Sequence, residues 1–443
     1  MAQEWLWKSA SELGRGIASG EIDAVALTRA YLDAIEAHPL RDRIYACVTP
    51  DRALAEAAAA AERAVLGQRV GPLDGVPISW KDLFDTAGVA TEAGSALLEG
   101  RVPTRDALVL RNATAAGLVC LGKTHMSELA FSGLGYNPVT ATPPSVNDPE
   151  AVAGGSSSGA AASVAQGLAA CGIGSDTGGS VRIPSVWNDL VGLKTTSGLL
   201  SLEGVVPLCA RFDTVGPLCR SVEDASNMLA ALAGSSAVDL RGASLKGVRL
   251  MVLETIAMEG LRPDPAAGFE AAVERLQAAG AVVERREVPL VAEAMDLAST
   301  LFTSEAYGTW KAVIEATPEK MFPEILARFR IGAAHAAADF VAGWQRIDQL
   351  RAEWMAEVTG FDAVILPTAP AVPPKIDRLE SDSEYFVTEN LLALRNTRIG
   401  NLMGVAALTL PTGVPSTGIM LMVPPMQERR LLRLGAAAEA ALA

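Results

Sequence analysis

Histidine is nearly missing: His38, His125 and His335 are the only three in 443 residues. A Ser-His-Asp hydrolase needs one of them as its base, and zinc sites draw on several. His38 sits at an expected helix end and His335 among alanines, so both read as surface or packing residues. His125 and Glu128 are three apart at a helix start, a two-ligand fragment without a third partner, so no metal is expected. Cysteine is scarce too. Cys47, Cys120, Cys171, Cys209 and Cys219 make an odd count with no CxxC pair. That disfavours a disulfide framework or thiolate zinc site and points to a reducing, cytoplasmic setting. Basic residues are outnumbered, 37 Lys and Arg against 51 Asp and Glu, for a net charge of −14. Such a field repels phosphate backbones, and no Lys/Arg run offsets it, so no direct nucleic-acid partner is expected. Long runs of large apolar residues are also lacking. The uncharged stretch 151–175 is mainly Ala, Gly and Ser, and 400–426 is broken by Pro411, Pro415 and Pro424. Both read as buried core rather than membrane spans. The opening MAQEWLWKSASELG has no basic region followed by a long apolar run, so no signal peptide is expected.

What is present is apolar bulk. Half the residues are hydrophobic, which excludes wholesale disorder and allows a sizeable core. Ser9 and Glu12 suggest a capping box, and Leu27, Ala30, Tyr31, Ala34 and Ile35 repeat at helical spacing. An alanine-rich helix over 50–66 is closed by Gly67. Strand-like runs at 76–80, 118–121 and 170–173 then alternate with helical stretches at 107–116 and 159–168. A helix at 221–232, a strand–helix–strand unit over 248–283, an apolar strand at 362–367 and a tail helix over 431–443 follow. This alternation predicts an α/β sandwich with helices on both faces of a sheet. One large domain over 1–443 is expected, with the helical stretch 291–358 as a cover over one face.

Three motifs compete to explain the chemistry. Gly117 to Thr124 matches the phosphate-loop pattern GxxxxGKT, but its variable residues Leu-Val-Cys-Leu are themselves a strand, so nucleotide binding is not expected. Gly155-Ser156-Ser157-Ser158-Gly159 fits the GxSxG nucleophile elbow, with Ser157 central. That reading needs a later histidine, and only His335 follows. In Asp176-Thr177-Gly178-Gly179-Ser180, consecutive backbone donors can converge beside a serine hydroxyl, as an oxyanion hole requires. A phosphate-binding or merely structural turn remains an equal reading on composition. Ser180 needs a base, and a lysine serves if burial brings its pKa from about 10.4 towards neutrality. Lys81, at the end of the apolar run GVPISWK, is the candidate.

Taken together, GGSSSGAAASVAQG, GSDTGGSVRIPS and VGLKTTSG over 154–198, with GVPISWKD, GKTHMSELAFSG, SVEDA, VILPTAPAVPP and NLMGVAALTLPTG, resemble the blocks of the amidase signature family. The likeness runs from about residue 10 to 435, with a signature core at about 70–235. It implies an α/β/α sandwich around a large mixed sheet and a Ser–cis-Ser–Lys triad. By position, Lys81 matches the catalytic lysine, Ser156 the bridging serine after a cis peptide bond, and Ser180 the nucleophile. Backbone N–H groups of Thr177, Gly178, Gly179 and Ser180 would form the oxyanion hole, and Asp176 and Arg182 would brace the site. Phe131, Ser132 and Gly133 are candidate walls of a substrate pocket.

Asn188-Asp189, Thr195 and the segment Gly418 to Met422 depart from the family's usual sequence without touching the triad. The expected activity is hydrolysis of a small-molecule carboxylic amide to carboxylate and ammonia or amine through a seryl acyl-enzyme, with no metal or organic cofactor and no membrane partner. The identity of the amide and the oligomeric state, homo-oligomer included, stay open. Three alternatives stand beside it: the amidase subunit of a tRNA-dependent amidotransferase, a Ser-His-Asp esterase-like hydrolase, and a non-catalytic binding protein on the same fold.

Overall fold

The computed structural model describes residues 2–443. Its sheet is built from short apolar runs: Tyr45–Val48 (β1), Pro77–Lys81 (β2), Val119–Thr124 (β3), Cys171–Asp176 (β4), Val191–Lys194 (β5), Thr214–Cys219 (β6), Arg249–Leu253 (β7), Val282–Arg286 (β8), Ala363–Pro367 (β9), Ala406–Pro411 (β10) and Gly418–Val423 (β11). Strands β2, β3, β4, β5, β6, β9 and β11 are buried along their whole length, as strands covered on both faces must be. The eleven join in the order β1-β3-β2-β4-β6-β5-β10-β11-β9-β7-β8. β2 runs parallel to β3 and β4, and β7 parallel to β8 and β9, while the central pairs from β4 to β9 are antiparallel. The sheet is therefore mixed, and with its flanking helices it makes the α/β sandwich.

Local chemistry sets the helix ends. Ser9 and Glu12 form the reciprocal capping box, and Ser221 Oγ accepts from the Asp224 N–H at 3.1 Å. The GxxxxGKT match lies largely on β3, and its Lys123 is buried against Asp82 (3.1 Å) and Thr91 (2.9 Å), so no phosphate loop exists there. The stretch 400–426 supplies the paired core strands β10 and β11. Among the described residues no helix is long and apolar enough to cross a membrane. The helices Leu290–Asp296, Ala298–Ile314, Pro323–Ile331 and Ala337–Glu357 occupy the stretch between β8 and β9.

One long helix, Ser383–Leu402, has no counterpart in the sequence pattern. Its buried positions include Glu389, Asn390, Asn396, Thr397 and Asn401, and these polar residues interrupt the apolar repeat that would mark a helix. Several of them reach the site.

Candidate active site

β2 and β4 are parallel, so their carboxyl ends open at the same edge of the sheet, where α/β folds place ligands. Lys81 is the last residue of β2 and is fully buried. Its Nζ lies 2.7 Å from Ser156 Oγ and 2.8 Å from Ser175 Oγ. Burial pushes its pKa down to about 7, against the pull of Asp213 and Asp176. Ser156 is also fully buried and follows a cis peptide bond from Gly155. A side chain at Gly155 would stand 2.5 Å from the Gly135 nitrogen, so only glycine fits this approach.

The nucleophile candidate sits on the loop after β4. The Asp176 carboxylate accepts from the N–H groups of Gly179 (2.9 Å) and Val181 (3.2 Å), from Arg182 Nε (2.9 Å) and Nη2 (2.8 Å), and from Asn401 Nδ2 (2.9 Å). Burial opposes its charge, but the Arg182 guanidinium holds the carboxyl far below the usual range. Arg182 in turn donates to the Thr397 carbonyl (2.7 Å) and Asn401 Oδ1 (2.6 Å), while Thr397 Oγ1 donates to the Gly178 carbonyl (2.8 Å). Gly179 has φ +140°, and a Cβ there would meet Thr397 Oγ1 at 2.1 Å. The long helix thus clamps the turn that presents Ser180.

Four outward-facing donors were expected on this loop, and that expectation needs one correction. The Gly179 N–H is turned back to Asp176 and is occupied. No described residue accepts from the N–H of Thr177, Gly178 or Ser180, and the Ser180 hydroxyl has no partner either. Ser180 is tied to its neighbour by the Ser157 N–H, which donates to the Ser180 carbonyl at 3.3 Å. Lys81 and Ser156 are in direct contact, whereas no hydrogen bond joins Ser156 to Ser180.

Ser180, Thr177 and Gly178 line a chamber of about 20 Å³, room for roughly one water, together with Phe131 and Ser132. Gly133 does not line it. Its N–H donates to Asn390 Oδ1 at 2.8 Å, and a Cβ would collide with Leu394 at 2.8 Å. Beyond lies a cavity of about 740 Å³ between the helices Ala298–Ile314, Pro323–Ile331 and Ser383–Leu402. Phe302, Arg328 and Arg398 line both spaces and form the neck between them.

The competing motifs lead elsewhere. Ser157 Oγ is occupied by the backbone of Ser175, at 3.3 Å from both its carbonyl and its N–H. His335 Nδ1 lies 3.3 Å from Thr300 Oγ1 on the helix Ala298–Ile314. Burial lowers the His125 pKa to about 4, and Glu128 binds Ser95 Oγ (2.7 Å) and the Phe322 N–H (2.9 Å). Among the described residues no group of three His, Cys, Asp or Glu side chains is placed to hold a metal. Asn188 and Asp189 brace backbone: Asn188 Nδ2 donates to the Ala153 and Pro184 carbonyls, and Asp189 accepts from the Ser416 N–H. Sequence reasoning missed Ser175, Asp213, Thr397, Asn401, Arg328 and Arg398. Ser175, two residues from Thr177 on the same glycine-rich strand end, and Asn401, the first residue of NLMGVAALTLPTG, stood inside recognised motifs.

The model of the Amidase family matches residues 26–432. The chain belongs to that family. The amidase is 37% identical over 435 residues to a 2-amino-5-chloromuconic acid deaminase of Comamonas testosteroni, covering 95% of this chain and 93% of the relative. It is 31% identical to a glutamyl-tRNA(Gln) amidotransferase subunit of Streptomyces coelicolor, over 98% and 95% of the two chains. Among solved structures, one of an amidase superposes with a TM-score of 0.87 at 30% identity, covering 98% and 100% of the chains. The native peptide amidase of Stenotrophomonas maltophilia gives 0.83 at 28% identity, covering 98% and 96%. The amidase is a hydrolase of amide carbon–nitrogen bonds on the family's α/β sandwich.

Proposed function

We propose that the amidase works through Lys81, Ser156 and Ser180 by way of a seryl acyl-enzyme. The observation that carries this is the setting of Lys81: fully buried, with hydroxyls as its hydrogen-bond partners, and brought to about 7 by that burial. A neutral amine can accept from one hydroxyl and donate to the other. Lys81 takes the Ser156 proton, Ser156 takes that of Ser180, and Ser180 Oγ attacks the amide carbonyl. The free N–H groups of Thr177, Gly178 and Ser180 hold the oxyanion. Collapse breaks the C–N bond, and the relayed proton leaves with ammonia or amine. Water then cleaves the ester by the same relay, giving the carboxylate. Closing the hydrogen bond between Ser156 and Ser180 is the one contact this relay adds to the resting geometry, as catalytic bonds tighten with substrate.

Labelling with a fluorophosphonate followed by peptide mapping tests the assignment. The adduct is expected on the peptide holding Gly178-Gly179-Ser180. An adduct on Ser157 would refute it. The likeness to the amidotransferase relative supports a second reading, in which ammonia passes to a partner, and co-purification with partner proteins together with hydrolysis of glutamine would favour it. Five free thiols, four of them buried, fit a reducing, cytoplasmic setting.

A further inference from the structure

The neck between chamber and cavity holds two guanidinium groups without a hydrogen-bond or ion-pair partner among the described residues. Among the described residues, Arg328 on the helix Pro323–Ile331 and Arg398 on the helix Ser383–Leu402 are the only charged groups lining the Ser180 chamber. Neither donates a hydrogen bond or joins an ion pair with any described residue, and Arg328 Nη1 is buried without an acceptor. Their neighbours are aromatic rings: Arg328 stacks over Phe131 at 4.5 Å and Arg398 lies 5.8 Å from the centre of Phe302. Acidic groups exist nearby, but not for them. Glu324, one turn earlier on the Arg328 helix, and Asp296 line the outer cavity, and neither lies within ion-pair distance of either guanidinium. Elsewhere in this chain the buried guanidinium is fully engaged, as Arg182 is with Asp176, Asn401 and Thr397.

A planar guanidinium matches a carboxylate edge to edge, and two beside each other make a bidentate seat for one or two carboxylate oxygens. Burial and the repulsion of Arg398 push the Arg328 pKa down, and burial lowers that of Arg398, so a bound anion would relieve both. We infer that the physiological substrate is an anionic amide, the monoamide of a dicarboxylic acid. Its carboxylate seats on Arg328 and Arg398 at the neck while its amide reaches Ser180 in the chamber. The inference rests on the triad reading above for the position of the scissile bond. Hydrolysis adds water across the C–N bond, so the products are the dicarboxylate and ammonium. Neutral amides of the same length lack the group that fills the neck, and they leave both guanidinia without an acceptor.

The experiment compares adipamate with hexanamide, and the shorter pairs succinamate with butyramide and glutaramate with valeramide, by ammonia release. For at least one pair the native enzyme is expected to prefer the charged amide in kcat/KM by about a hundredfold. Arg328→Met and Arg398→Met should each cut that preference at least about tenfold, mainly through KM, and the Lys variants should keep part of it. A general structural defect would instead lower both rates of a pair together. Equal rates for charged and neutral amides across the panel, or variants that lower both alike, would overturn the inference. If no amide releases ammonia and Ser180 takes no fluorophosphonate, the triad reading has failed. The neck is then judged by thermal shift with adipate, which must stabilise the native protein and not the Met variants.

Discussion

The floor of the site and its neck use the same residue type in opposite ways. Under the loop that carries Ser180, Arg182 is fully buried and has Asp176, Asn401 and the Thr397 carbonyl around it, so the pair's cost of leaving water is offset by a full set of charge-assisted bonds. At the neck, Arg328 and Arg398 have ring faces and no acceptor. A satisfied buried charge fixes architecture, here the curvature of the turn carrying Ser180. A half-buried guanidinium without a protein acceptor, as at the neck, is free to bind something the protein does not itself supply. Lys81 combines the two. It is buried like Arg182, but its hydroxyl partners leave it uncompensated, and that leaves it able to lose its proton.

The largest effect that would break this contrast is at Lys81. Lys81→Ala is expected to lower kcat by about 10²–10⁴-fold, the usual contribution of a general base, while the protein still folds. Lys81→Arg should be equally inactive, because guanidinium stays protonated. Steady-state kinetics on any hydrolysed amide checks both, and a folded Arg variant within about tenfold of the native kcat would remove Lys81 as the base. Next comes the floor. Arg182→Met strands the Asp176 charge and should cost about 3–5 kcal/mol of stability in urea titration. A loss under about 1 kcal/mol would mean that the pair does not hold the loop.

A smaller effect sharpens the reading of Lys81. Its folded pKa of about 7 is below the unfolded value near 10.5, so the neutral base accumulates as pH rises. The rate should climb through an ionisation near 7 and stay flat above it, with roughly a tenth of the plateau at one unit below. The sign for stability agrees. Between about 7 and 10.5 the unfolded chain binds the extra proton, so this group's destabilisation is complete below 7 and fades as pH rises through that window. Lys194 is an internal control. Burial lowers it to about 7 as well, but its Nζ donates to the Thr195 and Val405 carbonyls at 2.9 Å each. Lys194→Met should leave the midpoint of the rate profile in place, and a shifted midpoint would reassign the ionisation.

Much of this was legible in the sequence, and the rest was hidden for definable reasons. Lys81, Ser156 and Ser180 stand in motifs whose glycines and apolar runs are local, so their neighbourhood could be read without knowing the fold. Six strands, β2, β3, β4, β7, β8 and β9, were visible as apolar runs between turns, whereas β1, β5, β6, β10 and β11 were not read as strands. The helix Ser383–Leu402 was not, because burial of Glu389, Asn390, Asn396, Thr397 and Asn401 inside the protein erases the apolar stripe that periodicity depends on. Arg328 and Arg398 come from helices far apart in the chain, and an arginine in a sequence looks the same whether it is solvated or stranded. Gly179 shows the opposite limit. Its place in the loop was readable, but whether its N–H faces outward or returns to Asp176 depends on φ, which only the structure gives.

The smallest expected effect tests the neck without substrate. Removing an unpaired buried donor should stabilise a protein, because the group loses hydration on folding and gains no partner. Arg328→Met takes away the buried Nη1 and fills the same volume with a flexible apolar side chain. Against this stands the loss of the stacking over Phe131, about 0.5–1 kcal/mol at a partly exposed site. The donor's penalty of about 1–3 kcal/mol is the larger figure, so the variant should gain about 1 kcal/mol in urea titration. Arg182→Met, the same substitution at the floor, should move stability the other way. Opposite signs for one exchange, at the buried Arg182 and the half-buried Arg328, would mean that the neck gives up stability to keep an open seat, the trade expected where a site is built for a ligand. Destabilisation of similar size at both would mean that Arg328 has a partner in solution, and the difference between floor and neck would disappear.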